Sequence, residues 1–354
     1  MSRFLQSRLQ TLQAYVPGEQ PQDMTYVKLN TNESPYPPSP GVLQAVNETL
    51  ASQLPRYPDP QNTALKRAIA SLYDLSPLHV CVTNGSDEAL YFAFFAFGEH
   101  GVAFPDITYG FYTVFASLLG LHAQEIPLEA DFTLDPGAYA HLGKMIVIAN
   151  PNAPTGLCLS VDTLCHVLEE NRDHVVVIDE AYVDFGAQSM APLVERYDNL
   201  LVVQTCSKSR CLAGARLGFA LGNPALIQDL ERIRYSTNPY NINRMTSAAG
   251  LAAIQDNAYY TRRCEQIVQT RQQTAQALRA LGFEVTDSRA NFLFAQSDAI
   301  SGKDLYEALK ARGVLIRHFT SPRIANYNRI TVGSAEQMEC FLKHTREILQ
   351  EVQR

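Results

Sequence analysis

The sequence predicts an α/β protein whose larger part is built on a mostly parallel sheet flanked by helices. Three short, β-branched apolar runs lead to this prediction, because such runs are typical of strands buried on both faces. They lie in segments 145–156, 175–185 and 202–218. Polar residues follow the runs, and Asn150, Asp179 and Lys208 succeed one another at intervals of 29 residues. One βα unit takes about 30 residues, so successive units would bring these side chains to one edge of the sheet.

That edge of the sheet is where we expect the functional site. In open α/β sheets, ligands bind outside the carboxyl ends of the strands. Taken singly, each residue has an ordinary structural explanation. Asp179 could cap a helix, Tyr182 could pack in the core, and Lys208 could be a solvated surface charge. Their joint placement after successive strands favours a shared site.

The composition of the chain excludes several classes of protein. With 354 residues, 46% of them hydrophobic and 18% charged, the chain is globular and long enough for two domains. The formal net charge of the chain is −7, whereas a nucleic-acid-binding protein usually has a basic surface. The most apolar run, residues 89–97, is nine residues long and too short to cross a bilayer. This run therefore predicts a buried helix, and we expect no association with a membrane.

The cysteines and the start of the chain indicate the compartment. The seven cysteines include no C-x-x-C pair, and no Cys/His grouping has the spacing of zinc ligands. An odd, scattered set of this kind predicts reduced thiols and no metal site. The first 15 residues lack the apolar core of a secretory signal. We therefore expect a cytoplasmic protein.

The first 50 residues are expected to form an N-terminal arm and the start of a smaller domain. Leucines within residues 5–12 share one helical face. The prolines of segment 31–40 exclude a regular helix or a central strand. This segment is either an inert connector or, with polar side chains such as Asn32, a part of the site. Helical segments follow at about 41–54 and 62–75.

Residues 79–97 predict a strand, a tight turn and a helix. The turn at Gly85 and Ser86 would leave free backbone N–H groups at a helix start, which can bind phosphate. The alternative is ordinary capping, with Ser86 as the N-cap and Asp87 in the first turn. Tyr109 follows the next predicted strand and is exposed at its end.

After Gly222 the pattern changes to alternating short strands and helices, which is typical of a separate small α+β domain. Helices are predicted at 224–235, 243–281, 302–312 and 335–352. Short strands are predicted at 283–286, 291–295, 314–319 and 329–333. The chain thus divides into residues 1–50, a large ligand-binding domain of residues 51–242 and a small C-terminal domain of residues 243–354.

A lysine beside an aspartate and a phosphate site supports the chemistry of pyridoxal phosphate (PLP). The primary amine of Lys208 can form a Schiff base with a carbonyl compound. PLP requires such a lysine, an acidic partner for its pyridine nitrogen and a site for its phosphate. Asp179 would keep that nitrogen protonated, and Tyr182 could reach the phenolic oxygen of the ring. The residues around the lysine that could bind the phosphate are Thr205, Ser207 and Arg216.

With these residues in place, the chain resembles the fold-type-I PLP-dependent aminotransferases, and among them the histidinol-phosphate aminotransferase group, nearly end to end. The motifs that carry the resemblance are AYVPG, LNTNESPYPPSP, RYPDPQ, NGSDEAL, NPNAPTG, VIDEAYVDF, TCSKSRCLAGARLGFA, SRANFLF, VLIRHF and RITVG. The sequence DEAY followed by the spacing SK-x₆-AG-x-R-x-G is specific to this group. The resemblance implies a large domain with a mostly parallel, mixed sheet and a smaller α+β domain.

The resemblance implies a role for each matching residue. Lys208 would be the Schiff-base lysine and would carry the proton between the substrate Cα and the cofactor. Asp179 would be the partner of the pyridine nitrogen, Tyr182 the partner of the phenolic oxygen, and Tyr109 the aromatic residue that stacks on the ring. The phosphate would be bound by Gly85, Ser86, Asp87, Thr205, Ser207 and Arg216. Tyr57 would reach this phosphate from the neighbouring subunit, so the prediction includes a homodimer with shared active sites.

The resemblance also implies how substrate is held. Arg329 matches the arginine that binds the substrate α-carboxylate, and Arg317 matches an arginine suited to a substrate phosphate. Tyr15 would contact substrate from the N-terminal arm, and Asn32 joins this predicted substrate set.

One position departs from the pattern of many relatives. Where they have an asparagine directly before Pro-Thr-Gly, this chain has Ala153. That asparagine contacts the phenolic oxygen of the cofactor, so Asn150 or Asn152 could substitute, or Tyr182 could make the contact alone. We expect Asn152 to bind the cofactor here.

The activity implied by the resemblance is transamination between L-histidinol phosphate and 2-oxoglutarate in histidine biosynthesis, by a ping-pong reaction through Lys208. A threonine-phosphate decarboxylase or an aromatic amino-acid aminotransferase of the same subgroup is the main alternative. A nucleotide-binding doubly wound domain or a Ser/Lys hydrolase is a more distant alternative. The sequence has no G-x-G-x-x-G motif after the first strand, no G-x-S-x-G motif and no S-x-x-K spacing at the lysine. A catalytically dead relative would not need the intact Lys, Asp, Tyr and Arg set.

Overall fold

The structure is a computed structural model that describes residues 2–352. Its strands, in chain order, are β1 (Val27–Lys28), β2 (Val80–Thr83), β3 (Val102–Pro105), β4 (Ala123–Ile126), β5 (Met145–Ala149), β6 (Val176–Asp179), β7 (Leu200–Thr205), β8 (Gly218–Gly222), β9 (Phe283–Val285), β10 (Phe292–Ser297), β11 (Val314–Leu315), β12 (Arg317–His318) and β13 (Asn328–Thr331). Its α-helices are α1 (Pro40–Ala45), α2 (Glu48–Ala51), α3 (Thr63–Ser71), α4 (Ser86–Phe97), α5 (Phe111–Leu119), α6 (Val161–Glu169), α7 (Pro224–Thr237), α8 (Arg244–Gln255), α9 (Asn257–Ala280), α10 (Gly302–Ala311) and α11 (Ala335–Val352).

The larger sheet has seven strands in the order β2-β8-β7-β6-β5-β3-β4. Only β8 runs antiparallel to its neighbours, so the predicted mostly parallel, mixed sheet is confirmed. Strands β5, β6 and β7 are adjacent, and every residue in them is buried. Their register places Ala149 beside Asp179 and Asp179 beside Val203, so the three strands end at the same edge.

Helices cover both faces of this sheet. Alternate side chains of β5 point to opposite faces, so Ile146 and Ile148 pack in one core with α3, α6 and α8. Met145 and Val147 pack in the other core with α4, α5 and α7. Burying one such side chain stabilises the fold by about 1.5–3 kcal/mol. The apolar strands therefore hold the polar edge in a fixed position.

A smaller part of α+β type contains a second sheet, with the order β12-β13-β10-β9 and antiparallel neighbours. Helices α9, α10 and α11 pack on it around a core that includes Leu293 and Phe341. The N-terminal strand β1 pairs in parallel with β11, so the start of the chain joins its C-terminal part. The domain boundaries at residues 50 and 242 stay a prediction, and α8 packs in the core of the larger sheet although it follows residue 242.

Three predicted helices differ from the structure. The segment 243–281 forms two helices that meet at Asp256, whose carboxylate accepts a hydrogen bond from the Ser39 hydroxyl at 2.5 Å. The segment 41–54 is divided into α1 and α2, because Asn47 caps α2 through a 2.9 Å bond from the Leu50 N–H. Residues 5–12 contain only a single 3₁₀ turn, Ser7–Leu9, which buries no side chain.

No helix within residues 2–352 has the length and apolarity needed to span a membrane. The same part of the chain holds no cluster of three or more His, Cys, Asp or Glu side chains that could bind a metal ion.

Candidate active site

A cleft of about 500 Å³ lies at the carboxyl ends of β5, β6 and β7. It is lined by residues of the N-terminal arm, of the larger sheet and of the smaller part of the chain. The predicted site residues that line it are Tyr15, Asn32, Ser86, Asp87, Tyr109, Asp179, Tyr182, Thr205, Ser207, Lys208, Arg216, Arg317 and Arg329. The sheet edge predicted from the sequence is therefore the place where these side chains meet.

Lys208 lies half-buried in the floor of the cleft, three residues after β7 ends. Its Nζ donates a hydrogen bond to the carbonyl oxygen of Thr31 at 3.2 Å and forms no ion pair within residues 2–352. Burial, helped by the positive charge of Arg329, lowers the pKa of Lys208 from 10.5 to about 8. About a tenth of the amine is therefore neutral at pH 7, far more than for an ordinary lysine, and the neutral form is what a nucleophile or proton acceptor requires.

Asp179 is the last residue of β6, and its carboxylate is buried. Oδ2 accepts a 2.7 Å hydrogen bond from the Tyr112 hydroxyl, and Oδ1 accepts a 3.2 Å bond from the Ala181 N–H. Burial raises the pKa of Asp179 to about 6, although both bonds favour the ionised form. Tyr112 is missing from the predicted site. No signal in its own sequence segment sets Tyr112 apart from a core aromatic residue.

The start of α4 provides one corner of the cleft. The N-cap is Gly85, with a φ of 78°, and no side chain caps the helix, so capping by Ser86 is not what the structure shows. The N–H groups of Ser86 and Asp87 have no acceptor among the described residues. A Cβ on Gly85 would lie 2.6 Å from Nη2 of Arg216, so the guanidinium would have to shift, and the positive φ would strain any other residue at this position. Ser207 Oγ lies 3.5 Å from Nη1 of Arg216 in the same corner.

The carboxylate of Asp87 joins two predicted cofactor residues. It accepts a hydrogen bond from the Tyr109 hydroxyl at 2.8 Å and pairs with Arg216 at 3.0 Å. Thr205 donates to Ser207 Oγ at 2.9 Å, which orients that hydroxyl. The phosphate residues named from the sequence therefore form one connected group.

Asn32 is the direct neighbour of Tyr182. Its Nδ2 donates to the Tyr182 hydroxyl oxygen at 2.9 Å, and its Oδ1 accepts a bond from the Thr331 hydroxyl at 3.0 Å. The backbone of Asn32 is left-handed, with a φ of 56°, a conformation that asparagine tolerates better than most residues. Burial raises the pKa of Tyr182 above its usual value. Asn32 was expected to bind substrate, and the structure places it against Tyr182.

Asn152 is not brought into the cleft. Its Oδ1 accepts a bond from the Thr108 hydroxyl at 2.8 Å, and its Nδ2 donates to the Ile107 carbonyl at 2.9 Å and to Thr155 Oγ1 at 3.0 Å. These bonds tie the Pro-Thr-Gly turn to the segment after β3 and leave the amide unavailable to a cofactor. Ala153 itself is buried beside Tyr182.

Asn150, the first of the three regularly spaced residues, also has a structural role. Its Oδ1 accepts the N–H of Leu159 at 2.7 Å, and its Nδ2 donates to the carbonyl of the same residue at 3.3 Å. The amide therefore closes the loop that follows β5. The asparagine that contacts Tyr182, the residue predicted to reach the same phenolic oxygen, is Asn32, from a distant part of the chain.

Two arginines face the cleft from the smaller part of the chain. Arg329 donates from Nη2 to the carbonyl of Asn30 at 3.0 Å, and its guanidinium lies 5.4 Å from the ring centre of Phe292. Arg317 lies 3.4 Å from each of the carbonyl oxygens of Val16 and Pro17. Within the described residues, neither guanidinium reaches a carboxylate at ion-pair distance, and Nε of Arg329 is buried without a partner. Unpaired arginines in a cleft favour an anionic ligand.

Two aromatic residues of the predicted site lie at its margins. Tyr15 stacks on Phe111 with ring centres 4.2 Å apart and meets Tyr109 edge-on at 6.2 Å. Tyr57 is 77% exposed, stacks on Tyr240 at 4.4 Å and does not line the cleft of its own chain.

The cleft thus combines a lysine with a lowered pKa, a buried aspartate and a corner with donors for a phosphate. Comparison with known protein families agrees with this arrangement. The family model for aminotransferase class I and II matches residues 24–344. The chain belongs to the class I and II aminotransferase family. The sequence-based prediction of an aminotransferase is thereby confirmed.

Members of this family that are similar over nearly the whole chain bear a common name. The chain is 49% identical over 352 residues to the histidinol-phosphate aminotransferase of Brachyspira hyodysenteriae, with 99% of both chains covered. It is 48% identical over 351 residues to histidinol-phosphate aminotransferase 1 of Bradyrhizobium diazoefficiens, covering 99% of this chain and 100% of the relative. The crystal structure of the histidinol-phosphate aminotransferase from Sinorhizobium meliloti, in complex with pyridoxal-5′-phosphate, has a TM-score of 0.84 and 25% identity. The match covers 92% of this chain and 91% of that chain.

PLP is the cofactor of this aminotransferase, as predicted from the sequence. The residues present fit the group. The uncapped N–H groups of Ser86 and Asp87, with Arg216, provide donors for a phosphate at a helix N-terminus. Asp179 provides a buried carboxylate, and Lys208 an amine with a lowered pKa, in the same cleft.

Proposed function

We propose that this aminotransferase transfers the amino group of L-histidinol phosphate to 2-oxoglutarate, in histidine biosynthesis and by a ping-pong reaction. The observation that carries the proposal is the pair of arginines, Arg317 and Arg329, that line the cleft with Lys208 and have no carboxylate partner in the described part of the chain. In a ping-pong reaction one cleft must bind both substrates in turn. Two guanidinium groups suit the doubly charged phosphate of one substrate and the two carboxylates of the other. The names of the similar relatives support the same substrate.

When bound, PLP supplies a ring that accepts electrons from the substrate Cα. In our proposal, Asp179 holds the proton of the pyridine nitrogen, and Tyr182 donates to the phenolic oxygen. Lys208 Nζ would accept the proton from the substrate Cα and would deliver it to the cofactor carbon. Its pKa of about 8 suits this exchange near neutral pH. The wall of Tyr109, Phe111 and Tyr15 would limit water in the cleft.

The phosphate of the cofactor would be held by the N–H groups of Ser86 and Asp87, the Ser207 hydroxyl and Arg216. Arg216 would contribute most of the charge, since its planar fork matches phosphate oxygens. In the structure the carboxylate of Asp87 occupies one N–H of this guanidinium at 3.0 Å. Nη1 also lies 3.5 Å from Ser207 Oγ, and the remaining N–H groups have no acceptor within the described residues.

We further propose a cytoplasmic homodimer in which Tyr57 completes the active site of the partner subunit. Tyr57 is 77% exposed and points away from the cleft of its own chain, as a residue acting across an interface would. All seven cysteines are unpaired within residues 2–352, in keeping with a reducing compartment.

The substrate is tested by a half-reaction screen with the PLP-loaded enzyme. L-Histidinol phosphate, L-histidinol, phenylalanine and threonine phosphate are added singly, and the change in the visible absorbance of the bound cofactor is followed. We expect histidinol phosphate to react and histidinol, which lacks only the phosphate, to react far more slowly. A faster reaction with phenylalanine, or carbon dioxide release from threonine phosphate, contradicts the proposal.

The shared site is tested by mixing two inactive homodimers. Lys208→Ala and Tyr57→Ala subunits are unfolded together, refolded and assayed. If Tyr57 acts across the interface, half of the dimers carry one intact site, so activity returns to about a quarter of wild type. No gain over the separate variants contradicts a shared site. Tyr240→Ala, at the residue that stacks on Tyr57, serves as the comparison for a merely structural loss.

A further inference from the structure

The hydroxyl of Tyr112 is the strongest hydrogen-bond donor to Asp179 in the structure. It lies 2.7 Å from Oδ2, whereas the Ala181 N–H lies 3.2 Å from Oδ1. The Tyr112 side chain is completely buried. Phe94, at 6.2 Å between ring centres, and Phe104, at 5.8 Å, fix its ring on α5. The hydroxyl therefore has little freedom to take another partner.

The surroundings of Asp179 otherwise favour its protonated form. Burial is the largest effect, and the nearby carboxylate of Asp87 on α4 adds to it. The hydroxyls that also face this region belong to Tyr109 and Tyr182, and both remain neutral because burial raises their pKa values. No arginine or lysine pairs with Asp179 within the described residues. Hydrogen bonds from Tyr112 and Ala181 are thus what stabilises its negative charge before cofactor arrives.

We infer that Tyr112 is a positioning residue for the cofactor: its hydroxyl holds the Asp179 carboxylate ionised and in a fixed orientation. The inference rests on the role proposed above for Asp179, and it assigns a function to a residue outside the motifs around Lys208. Burial keeps the pKa of Tyr112 well above its usual value, so the hydroxyl remains a donor throughout the working pH range. A tyrosine in this place can donate without adding a charge.

The inference is tested with Tyr112→Phe, which keeps the ring and removes only the hydroxyl. Tyr139→Phe is the matched control, because Tyr139 is also buried and its hydroxyl has no hydrogen-bond partner among residues 2–352. A hydrogen bond to a charged group corresponds to about one pKa unit or more, so the Asp179 pKa should rise by about one unit in Tyr112→Phe. Cofactor affinity at pH 7 should then fall several-fold.

Affinity for PLP is measured from the visible absorbance of the bound cofactor between pH 5.5 and pH 8.5, with kcat and KM alongside. We expect affinity to fall off on the acid side about one pH unit higher in Tyr112→Phe than in wild type. The Tyr139→Phe profile should match wild type, and KM for the amino donor should change less than kcat. Superimposable profiles for Tyr112→Phe and wild type would overturn the inference.

Asp179→Asn separates this outcome from failure of the proposed role of Asp179. If Asp179→Asn loses turnover while Tyr112→Phe behaves as wild type, the aspartate acts without the tyrosine and the inference is wrong. If Asp179→Asn itself keeps wild-type turnover and pH profile, the proposed role of Asp179 is wrong, and the inference falls with it.

Discussion

Replacing Asn32 by alanine tests the contact that connects the N-terminal part of the chain to Tyr182. The substitution removes the 2.9 Å bond to Tyr182 and the 3.0 Å bond from Thr331. Both hydroxyl groups are left in a buried region with one partner fewer. Alanine must also adopt the left-handed backbone conformation that has a φ of 56° at this position.

The size of the effect follows from these terms. Two buried hydrogen bonds contribute about 1 kcal/mol each, and the left-handed conformation costs alanine about 1 kcal/mol. Asn32→Ala should therefore lower the free energy of unfolding by about 3 kcal/mol, which corresponds to a fall in Tm of roughly 5 °C. Asn32→Gly, which adopts this conformation without strain, should lose only about 2 kcal/mol.

Guanidinium unfolding of the cofactor-free protein measures these differences. Asn62→Ala is the matched control, since Asn62 has a φ of 51° and makes no side-chain cap bond. It should lose only the backbone part, about 1 kcal/mol. The reasoning is refuted if Asn32→Ala is no less stable than Asn62→Ala. In the loaded enzyme, loss of the amide donor should also raise the pKa of Tyr182 further and lower turnover.

Other substitutions test the lysine, the phosphate corner and the arginine. Lys208→Ala should abolish turnover in a coupled assay, and any residual activity above a few per cent would contradict its role. Because burial lowers the pKa of Lys208 from 10.5 to about 8, the unfolded chain binds more protons between these values and stability rises with pH there. Wild type should gain up to about 3 kcal/mol relative to Lys208→Met between pH 7.5 and pH 10.5, and equal slopes would refute the lowered pKa. Gly85→Ala should weaken PLP binding at least ten-fold, because the methyl group would meet Arg216; unchanged binding by equilibrium dialysis would count against a phosphate corner there. Arg329→Lys should raise KM for 2-oxoglutarate more than it lowers kcat, since lysine cannot replace the planar fork.

The edge of the larger sheet could be predicted from the sequence because it depends on the order of apolar and polar residues along short segments. Uninterrupted apolar runs such as β5 and β6 are typical of parallel strands that are covered on both faces of a sheet. The polar residues that follow such strands then lie at the same edge of that sheet. The motif that contains Lys208 likewise predicted the neighbouring residues that would bind phosphate. These features depend on residues close together in the chain.

Features that depend on distant contacts could not be found in this way. Tyr112 reaches Asp179 across 67 residues, and nothing in its own segment distinguishes it from a core aromatic residue. Asn152 was expected at the cofactor because it lies one residue from the motif position where many relatives have the cofactor-binding asparagine. In the structure its amide instead accepts a hydrogen bond from the Thr108 hydroxyl and donates to Ile107 and Thr155. At the break between α8 and α9, Asp256 likewise accepts a hydrogen bond from Ser39, more than 200 residues earlier.

The position of residues 30–32 has a consequence for how the enzyme matures on the ribosome. Their carbonyl and amide groups contact Lys208, Tyr182 and Arg329, and Asn32 is 299 residues from its partner Thr331. At about 5–20 residues per second, roughly 15–60 s separate the synthesis of these two partners. The larger sheet can be complete while its lysine still lacks the carbonyl of Thr31. Catalytic competence is therefore acquired last, after the C-terminal part of the chain has been synthesised and has packed against residues 30–32.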